Sequence, residues 1–235
     1  MRVTVIGAGR LGRSLGALLQ AAGVPVSVCG RGEALVPADV YWLAVRDGEI
    51  GSVVLPPGSL ALHSSGALGA GAIAGEGERG VLHPLMTFPG PEHGLPPLPV
   101  PARVEGSPRA VAAAVGLAGA LGWTPFAFEG DRRRYHAAAS MVSGLSGAWF
   151  LAAAREMASA SGESEDACRA RLLPLALESL RRAASAGPSA LTGPAPRGDH
   201  ATIEAHVAAI DSDLRAAYRA LTTLARRGGG DHDFE

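Results

Sequence analysis

The chain has 235 residues, 47% of them hydrophobic, and its 21 basic residues nearly balance 22 acidic ones for a formal net charge of −1. No acidic or basic block is longer than Arg132-Arg133-Arg134, so the basic stripe that a nucleic-acid binder needs is missing and that class is excluded. Two cysteines, Cys29 and Cys168, stand far apart and in no metal-type spacing, which excludes a disulfide scaffold and fits a reducing compartment, with the cytoplasm expected.

Residues Val3–Ile6 read as one β-strand, with no long apolar run or small-residue cleavage site that would make them a signal peptide. The strand runs into Gly7-Ala8-Gly9-Arg10-Leu11-Gly12 and then an amphipathic helical pattern beginning near Ser14. In a dinucleotide-binding turn of this form the first glycine permits the tight turn. The second lets a pyrophosphate approach the backbone, and the third lets the helix pack close to the strand. The helix N-terminus then offers free N–H groups and the positive end of its dipole to the phosphates.

Further strands are expected at Val26–Cys29, Val40–Val45, Leu60–His63 and Gly80–His83, alternating with helical or turn segments. A Pro-rich loop from Pro89 to Pro101 interrupts the rhythm. A strand over Ala102–Glu105, a helix over Pro108–Leu121 and a strand over Thr124–Phe128 then complete the sheet. The pattern predicts an α/β fold: an N-terminal Rossmann doubly wound parallel sheet over residues 1–129, followed by an all-α domain over 130–227. In that domain β-branched residues thin out and apolar positions recur at three and four. Its helices are expected over Arg132–Ser161, Ser164–Ala186 and Ala201–Arg226, with a flexible tail over 228–235. The uncharged run from Ala137 to Ala154 contains Ser140, Ser143, Gly144, Ser146 and Gly147 and reads as a buried soluble helix, not a membrane span.

The second strand of a Rossmann unit ends beside the adenosine ribose, where a carboxylate would bind the 2′-hydroxyl of NAD. Here the strand ends Val28-Cys29-Gly30-Arg31. No acid occupies the spot, and Arg31 is a candidate for a 2′-phosphate, so NADP is favoured while Glu33 keeps NAD possible. Arg10 offers a second cation, Leu11 lies in the same turn, and Val45 and Arg46 would flank the nicotinamide half.

Two strands end in histidine, as His63-Ser64-Ser65-Gly66 and His83-Pro84-Leu85. Ligands in open α/β sheets bind outside the carboxyl ends of the strands, and moving a hydride at a carbonyl or imine carbon requires a proton at the neighbouring heteroatom. His83 is the leading acid/base candidate, His136 the second, and Ser65 is a candidate to orient substrate. His63 either joins them or satisfies strand-end carbonyls. The junction Arg132-Arg133-Arg134-Tyr135-His136 sets cations and a titratable ring beside the cleft and suits an anionic substrate. Asp199 followed by Thr202 reads as a helix N-cap.

The motifs GAGRLG at 7–12, AVRD at 44–47, HSSGAL at 63–68, HPLMTF at 83–88, YHAAA at 135–139 and LTGPAPRGD at 191–199 carry a resemblance over nearly the whole chain. It resembles the Rossmann-like NADP oxidoreductases with a helical C-terminal domain of unknown function, in the wider 6-phosphogluconate-dehydrogenase-like superfamily. Pyrroline-5-carboxylate reductase, ketopantoate reductase, 3-hydroxyisobutyrate dehydrogenase and prephenate dehydrogenase are relatives there. The segment at His83 is similar to the His-Pro-Met segment whose histidine serves catalysis in prephenate dehydrogenase. The superfamily's hydroxyacid dehydrogenases use a lysine on the first C-terminal helix, whereas this chain has no lysine, and the group's pattern carries asparagine where this chain has Gly144.

The expected function is an NADP-dependent oxidoreductase of a small anionic oxo acid, hydroxy acid or imine, ketopantoate-like by kinship. It is expected to act as a homodimer without nucleic-acid or membrane partners. A non-catalytic NADP-binding sensor or scaffold and a prephenate-type dehydrogenase are the alternatives.

Overall fold

The computed structural model describes residues 1–228 and divides into two compact units, Met1–Ser143 and Gly144 onward. The first unit is built on seven strands: β1 (Val3–Ile6), β2 (Val26–Cys29), β3 (Val40–Leu43), β4 (Leu60–His63), β5 (Glu78–Pro84), β6 (Pro101–Gly106) and β7 (Thr124–Phe126). They lie in the order β2-β1-β3-β4-β5-β6-β7. The expected strands are all present, with β3 and β7 two residues shorter than their apolar runs.

Alternation along the strands feeds two cores. Val3, Val5, Val40, Trp42, Leu62 and Leu82 point to one face, where they meet Leu15 and Leu19 of α1 (Arg10–Ala21) and Ala110, Ala114 and Leu117 of α2 (Pro108–Ala120). Ile6, Tyr41, Leu43 and Ala61 point to the other, which is covered by Ile50 and Ile73 from 3₁₀ turns or their edges over Asp47–Ser52 and Ala70–Ala72. One face therefore carries the helices and the other short turns.

All neighbouring strands pair in parallel except β5 and β6, which run antiparallel. A parallel neighbour requires a crossover of a dozen or more residues, usually helical. The Pro-rich connection between β5 and β6 holds only a three-residue 3₁₀ turn at Pro91–His93 and returns the chain in the opposite sense. Ser107 then precedes Pro108 at the first position of α2, where the missing N–H costs no hydrogen bond.

The helix α3 (Arg132–Ser140), N-capped by Asp131 through the N–H groups of Arg133 and Arg134, belongs to the first unit. The two compact units divide after Ser143, inside the helical run. A π-turn over Met141–Leu145 leads to α4 (Ser146–Ser161), followed by α5 (Glu165–Ala186), α6 (His200–Ala209) and α7 (Arg215–Gly228). The single helix expected over Ala201–Arg226 is broken after Ala209. There the Asp211 carboxylate accepts from the N–H of Asp213 and starts a 3₁₀ turn at Ser212–Leu214, since Asp and Ser compete for backbone groups better than they extend a helix. Asp199 caps α6 as expected, accepting from the Thr202 N–H at 3.0 Å and its hydroxyl at 2.7 Å. Ahead of it, Ala195 packs with Ile203 and Val207 in the small core of this unit. The tail expected over 228–235 lies, Gly228 apart, outside the described residues.

The buried helix expected over Ala137–Ala154 is instead exposed. Ala154 is the one buried residue in the whole run 132–161. Among the described residues this run is also the one long and apolar enough to cross a membrane by length and composition, with a mean hydropathy of 1.4 over its most apolar window. The misreading has a physical cause: apolar composition measures what a helix would bury, and the fold of one chain does not supply the surface that would bury it.

Candidate active site

Strand β1 lies between β2 and β3, so the chain's topology switches direction beside its carboxyl end, where open α/β sheets bind ligands. Gly7 turns there with φ of +114°, and a Cβ on it would sit 2.6 Å from the Ala44 carbonyl oxygen. A Cβ on Gly12 would lie 1.7 Å from the Gly7 carbonyl oxygen, which is how closely α1 approaches the turn. A Cβ on Gly9 would meet nothing within 4 Å. The space in front of Gly9 is a cradle at the start of α1, whose N-terminus has no capping side chain and no acid in its first turn. The residues present fit a dinucleotide pyrophosphate.

Arg10 is exposed on the first turn of α1, and Leu11 packs partly into the core behind it. Arg31, at the end of β2, is exposed and its guanidinium meets Glu49 at 2.5 Å. An exposed pair of this kind contributes only about 0–1 kcal/mol, so Arg31 can exchange partners. The carboxylate of Glu33 folds back to accept from the Gly30 N–H at 2.6 Å. Val45 packs beside Gly7, and exposed Arg46 leads into the turn at Asp47–Ser52.

The end of β5 forms a second feature. His83 lies directly opposite Arg103 in the antiparallel β5/β6 ladder. Arg103 is fully buried, bonding Glu105 at 2.6 Å and the carbonyl oxygens of Ser65 and Leu68 at 3.2 and 3.0 Å. Its Nε has no partner. Glu105 is also gripped by Arg132 through two bonds of 2.8 and 2.7 Å. Burial works to raise the Glu105 carboxyl, but the hydrogen bonds and charge of Arg132, then Arg103, hold it below the usual range.

His83 is 9% exposed, and its Nδ1 is 3.1 Å from the Tyr135 hydroxyl. Burial lowers its pKa to about 4, helped by the charge of Arg103 and then by His136. The ring is therefore neutral at working pH, a state that suits a base or a hydrogen-bonding partner and not an imidazolium acid. Burial raises the phenol of Tyr135, and Arg103, whose guanidinium lies 5.7 Å from the ring centroid, opposes that shift. His136 stands edge-on to His83 with centroids 6.1 Å apart. Both rings close on Gly66, where a Cβ would be 2.3 Å from His136 Nδ1 and 2.8 Å from His83 Nε2.

These side chains line an open cleft of about 750 Å³ within the first unit, floored by Pro84, Leu85 and Met86 and walled by Tyr135, His136 and Ala139.

Of the two readings of His63 the structure shows the second, and the Ser65 hydroxyl is engaged within the protein. His63 is fully buried, with one ring nitrogen 3.0 Å from the Gly69 carbonyl and the other accepting from the Ser65 N–H at 3.1 Å. It satisfies backbone groups, and burial lowers its pKa against the pull of the Gly69 bond. The Ser65 hydroxyl is fully engaged by protein groups. A hydroxyl has one hydrogen to donate and two lone pairs. Its hydrogen goes to Asp47 at 2.8 Å, and its oxygen accepts from the N–H groups of Ala67 and Leu68 at 3.2 and 3.0 Å. The hydroxyl is spent on holding the loop.

Sequence reasoning missed Arg103. One signal was available: Arg103 and Glu105 stand two apart in β6 and so share a face of the strand, where charges are rarely tolerated unless paired.

The model of the family described as domain of unknown function DUF2520 matches residues 100–225, more than half of the chain. The chain belongs to the DUF2520 family. Among solved structures it is similar to a candidate NADP oxidoreductase, BF3122 of Bacteroides fragilis, at 20% identity over 96% of this chain and 98% of that one, with a TM-score of 0.80. Protein TM1727 of Thermotoga maritima is 18% identical over 97% and 98% of the two chains, with a TM-score of 0.67. A reductive aminase of Aspergillus terreus, solved with NADPH and ethyl levulinate, is 17% identical over 99% and 96%, with a TM-score of 0.65. These likenesses establish that this DUF2520 protein shares the whole fold of those chains, Rossmann sheet and helical region together. No curated protein matches it.

Proposed function

We propose that this DUF2520 protein is an NADP-dependent oxidoreductase of a small oxo acid, hydroxy acid or imine. The observation that carries the reading is the glycine turn: Gly7 and Gly12 are forced by close backbone contacts, while Gly9 faces open space at an uncapped helix N-terminus. Gly7, Gly9, Arg10, Leu11 and Gly12 would hold the pyrophosphate, Arg31 the 2′-phosphate, and Val45 and Arg46 would flank the nicotinamide. When bound, a reduced nicotinamide supplies a hydride to the carbon of a C=O or C=N group. His83, neutral beside the cleft, takes part in the proton transfer at the neighbouring heteroatom as a hydrogen-bonding partner, with His136 across from it.

The cleft lining supports an imine or ketone with an apolar body over a strongly anionic acid. Among the described residues no arginine lines it, Arg132 is committed to Glu105, and Arg103 is committed to Glu105 and two carbonyls.

Nicotinamide fluorescence with NADPH and NADH, on wild type and Arg31→Ala, tests the reading. A charge-assisted hydrogen bond to phosphate contributes about 1.5–3 kcal/mol, so NADPH should bind about 10- to 150-fold more weakly to the variant, with NADH unchanged. Binding of neither nucleotide to wild type would end the enzyme reading. Tight binding without turnover of any oxo acid or imine would favour a sensor.

We further propose that the helical unit joins two copies of the chain in a cytoplasmic homodimer. Leu173, Leu177 and Leu180, which share one face of α5, are each about half exposed or more, while the buried apolar residues of that unit are few. A large exposed apolar face on so thin a core needs a partner. Sedimentation equilibrium should give a dimer for wild type and a monomer for Leu177→Glu; a monomeric wild type would refute the assembly.

A further inference from the structure

We propose that Tyr135 is the proton donor of the cleft, with neutral His83 bonding the phenolate from Nδ1 and buried Arg103 as its counter-charge. The proposal rests on the oxidoreductase reading above.

Its first support is an unbalanced charge. Arg103 and Arg132 share one carboxylate, Glu105, so the cluster carries a net charge of +1 by this count, two guanidinium groups against one carboxylate. Arg103 is fully buried and retains an unpartnered Nε. A fixed cation in a low-dielectric surround favours whichever neighbour becomes negative and opposes whichever becomes positive.

The second support is what those neighbours are. A group that gives up a proton leaves a charge behind, and a phenol leaves an anion that Arg103 stabilises from 5.7 Å off the Tyr135 ring centroid. An imidazolium donor at His83 would have to form against the same cation, which faces it across the β5/β6 ladder. Asp47 counters that repulsion, while His136 and His63 add to it. Burial keeps the Tyr135 phenol protonated at rest, as a donor must be, Arg103 offsets part of the cost of its anion, and His83 carries no charge.

The third support is the 3.1 Å contact between His83 Nδ1 and the Tyr135 hydroxyl. With the hydrogen on Nδ1, His83 donates to the phenol oxygen and leaves the Tyr135 O–H to point its proton into the cleft. As the substrate carbon gains its hydride, the π pair of C=O or C=N moves to the heteroatom. The heteroatom takes the Tyr135 proton, and the O–H pair stays on the phenolate. The substrate is reduced, the nicotinamide is oxidised, and solvent returns the proton to the phenolate. In the reverse direction the phenolate is the base. Phe128, with its ring centroid 4.9 Å from that of Tyr135, packs against the ring.

The proposal requires a particular tautomer, which nuclear magnetic resonance reads directly. Long-range proton–nitrogen spectra of the full-length protein at neutral pH, with the signals of the seven histidines sorted by His83→Gln, should show the His83 hydrogen on Nδ1. That preference should be lost in Tyr135→Phe. A hydrogen on Nε2 in wild type would mean that the Tyr135 proton is spent on His83, and would overturn the proposal. A second readout is the ultraviolet absorbance of the Tyr135 phenolate, isolated as the difference from Tyr135→Phe. Glu105→Gln leaves the two arginines uncompensated and should bring the phenolate in at lower pH. An unchanged titration would overturn the role of Arg103. Neither readout uses a nicotinamide, so failure here leaves the cofactor titration standing, and failure of that titration leaves these measurements unaffected.

Discussion

Replacing Gly12 by alanine should unfold the turn that replacing Gly9 leaves intact. The new methyl group of Gly12→Ala would lie 1.7 Å from the Gly7 carbonyl oxygen and 2.9 Å from its carbon, both backbone atoms. No rotamer change relieves that overlap, so α1 must move off β1 and open the core around Leu15 and Leu19. Overpacking of this kind costs about 3 kcal/mol or more. For a chain of this size each kcal/mol lowers the melting temperature by about 2–4 °C, so a fall of roughly 10 °C is expected in a thermal melt. Gly9→Ala is the control. Its φ of −74° suits any residue and its Cβ meets nothing, so its melting temperature should match wild type while NADPH affinity falls at least about tenfold. Equal melting temperatures for Gly12→Ala and wild type would refute the close helix–strand approach. Undiminished NADPH binding in Gly9→Ala would remove the pyrophosphate from the cradle.

The protein should lose stability steadily between pH 6.5 and 4, and His83 should account for much of that loss. His83 has a pKa near 6.5 when unfolded and about 4 when folded. Between those values the unfolded chain binds the extra proton and the folded one resists it, so stability rises with pH across that window. The penalty is absent above pH 6.5 and complete below about 4. A shift of this size corresponds to about 3 kcal/mol. Urea denaturation of wild type and His83→Gln at pH 7 and pH 4 measures it. The stability lost between the two pH values should be about 3 kcal/mol smaller in His83→Gln, while His63, also lowered by burial, adds its own slope to both proteins. Identical losses would mean that His83 reaches solvent or a carboxylate when folded.

Much of this arrangement was legible before any coordinates. The strands announced themselves by short β-branched and aliphatic runs because a strand buried on both faces must be apolar at nearly every position. The glycine turn was legible because local backbone geometry leaves little chemical choice at Gly7, Gly9 and Gly12. Asp199 was legible as a cap because its partner, Thr202, is three residues away. His63 and His83 stand at equivalent strand ends, so position alone could not separate a histidine that satisfies two backbone groups from one that faces a cleft.

By itself the sequence determined what depends on near neighbours: the α/β class, the two-part organisation, the dinucleotide-type turn and the helix caps. Tertiary structure decided what depends on residues far apart in the chain. The antiparallel return of β6 brings Arg103 opposite His83, twenty residues away, and α3 carries Tyr135 to the same ring. Asp47 reaches over to consume the Ser65 hydroxyl. The charge state of His83 follows from those meetings, because burial and a neighbouring cation act through space, and nothing in the order of the residues states which groups will share it.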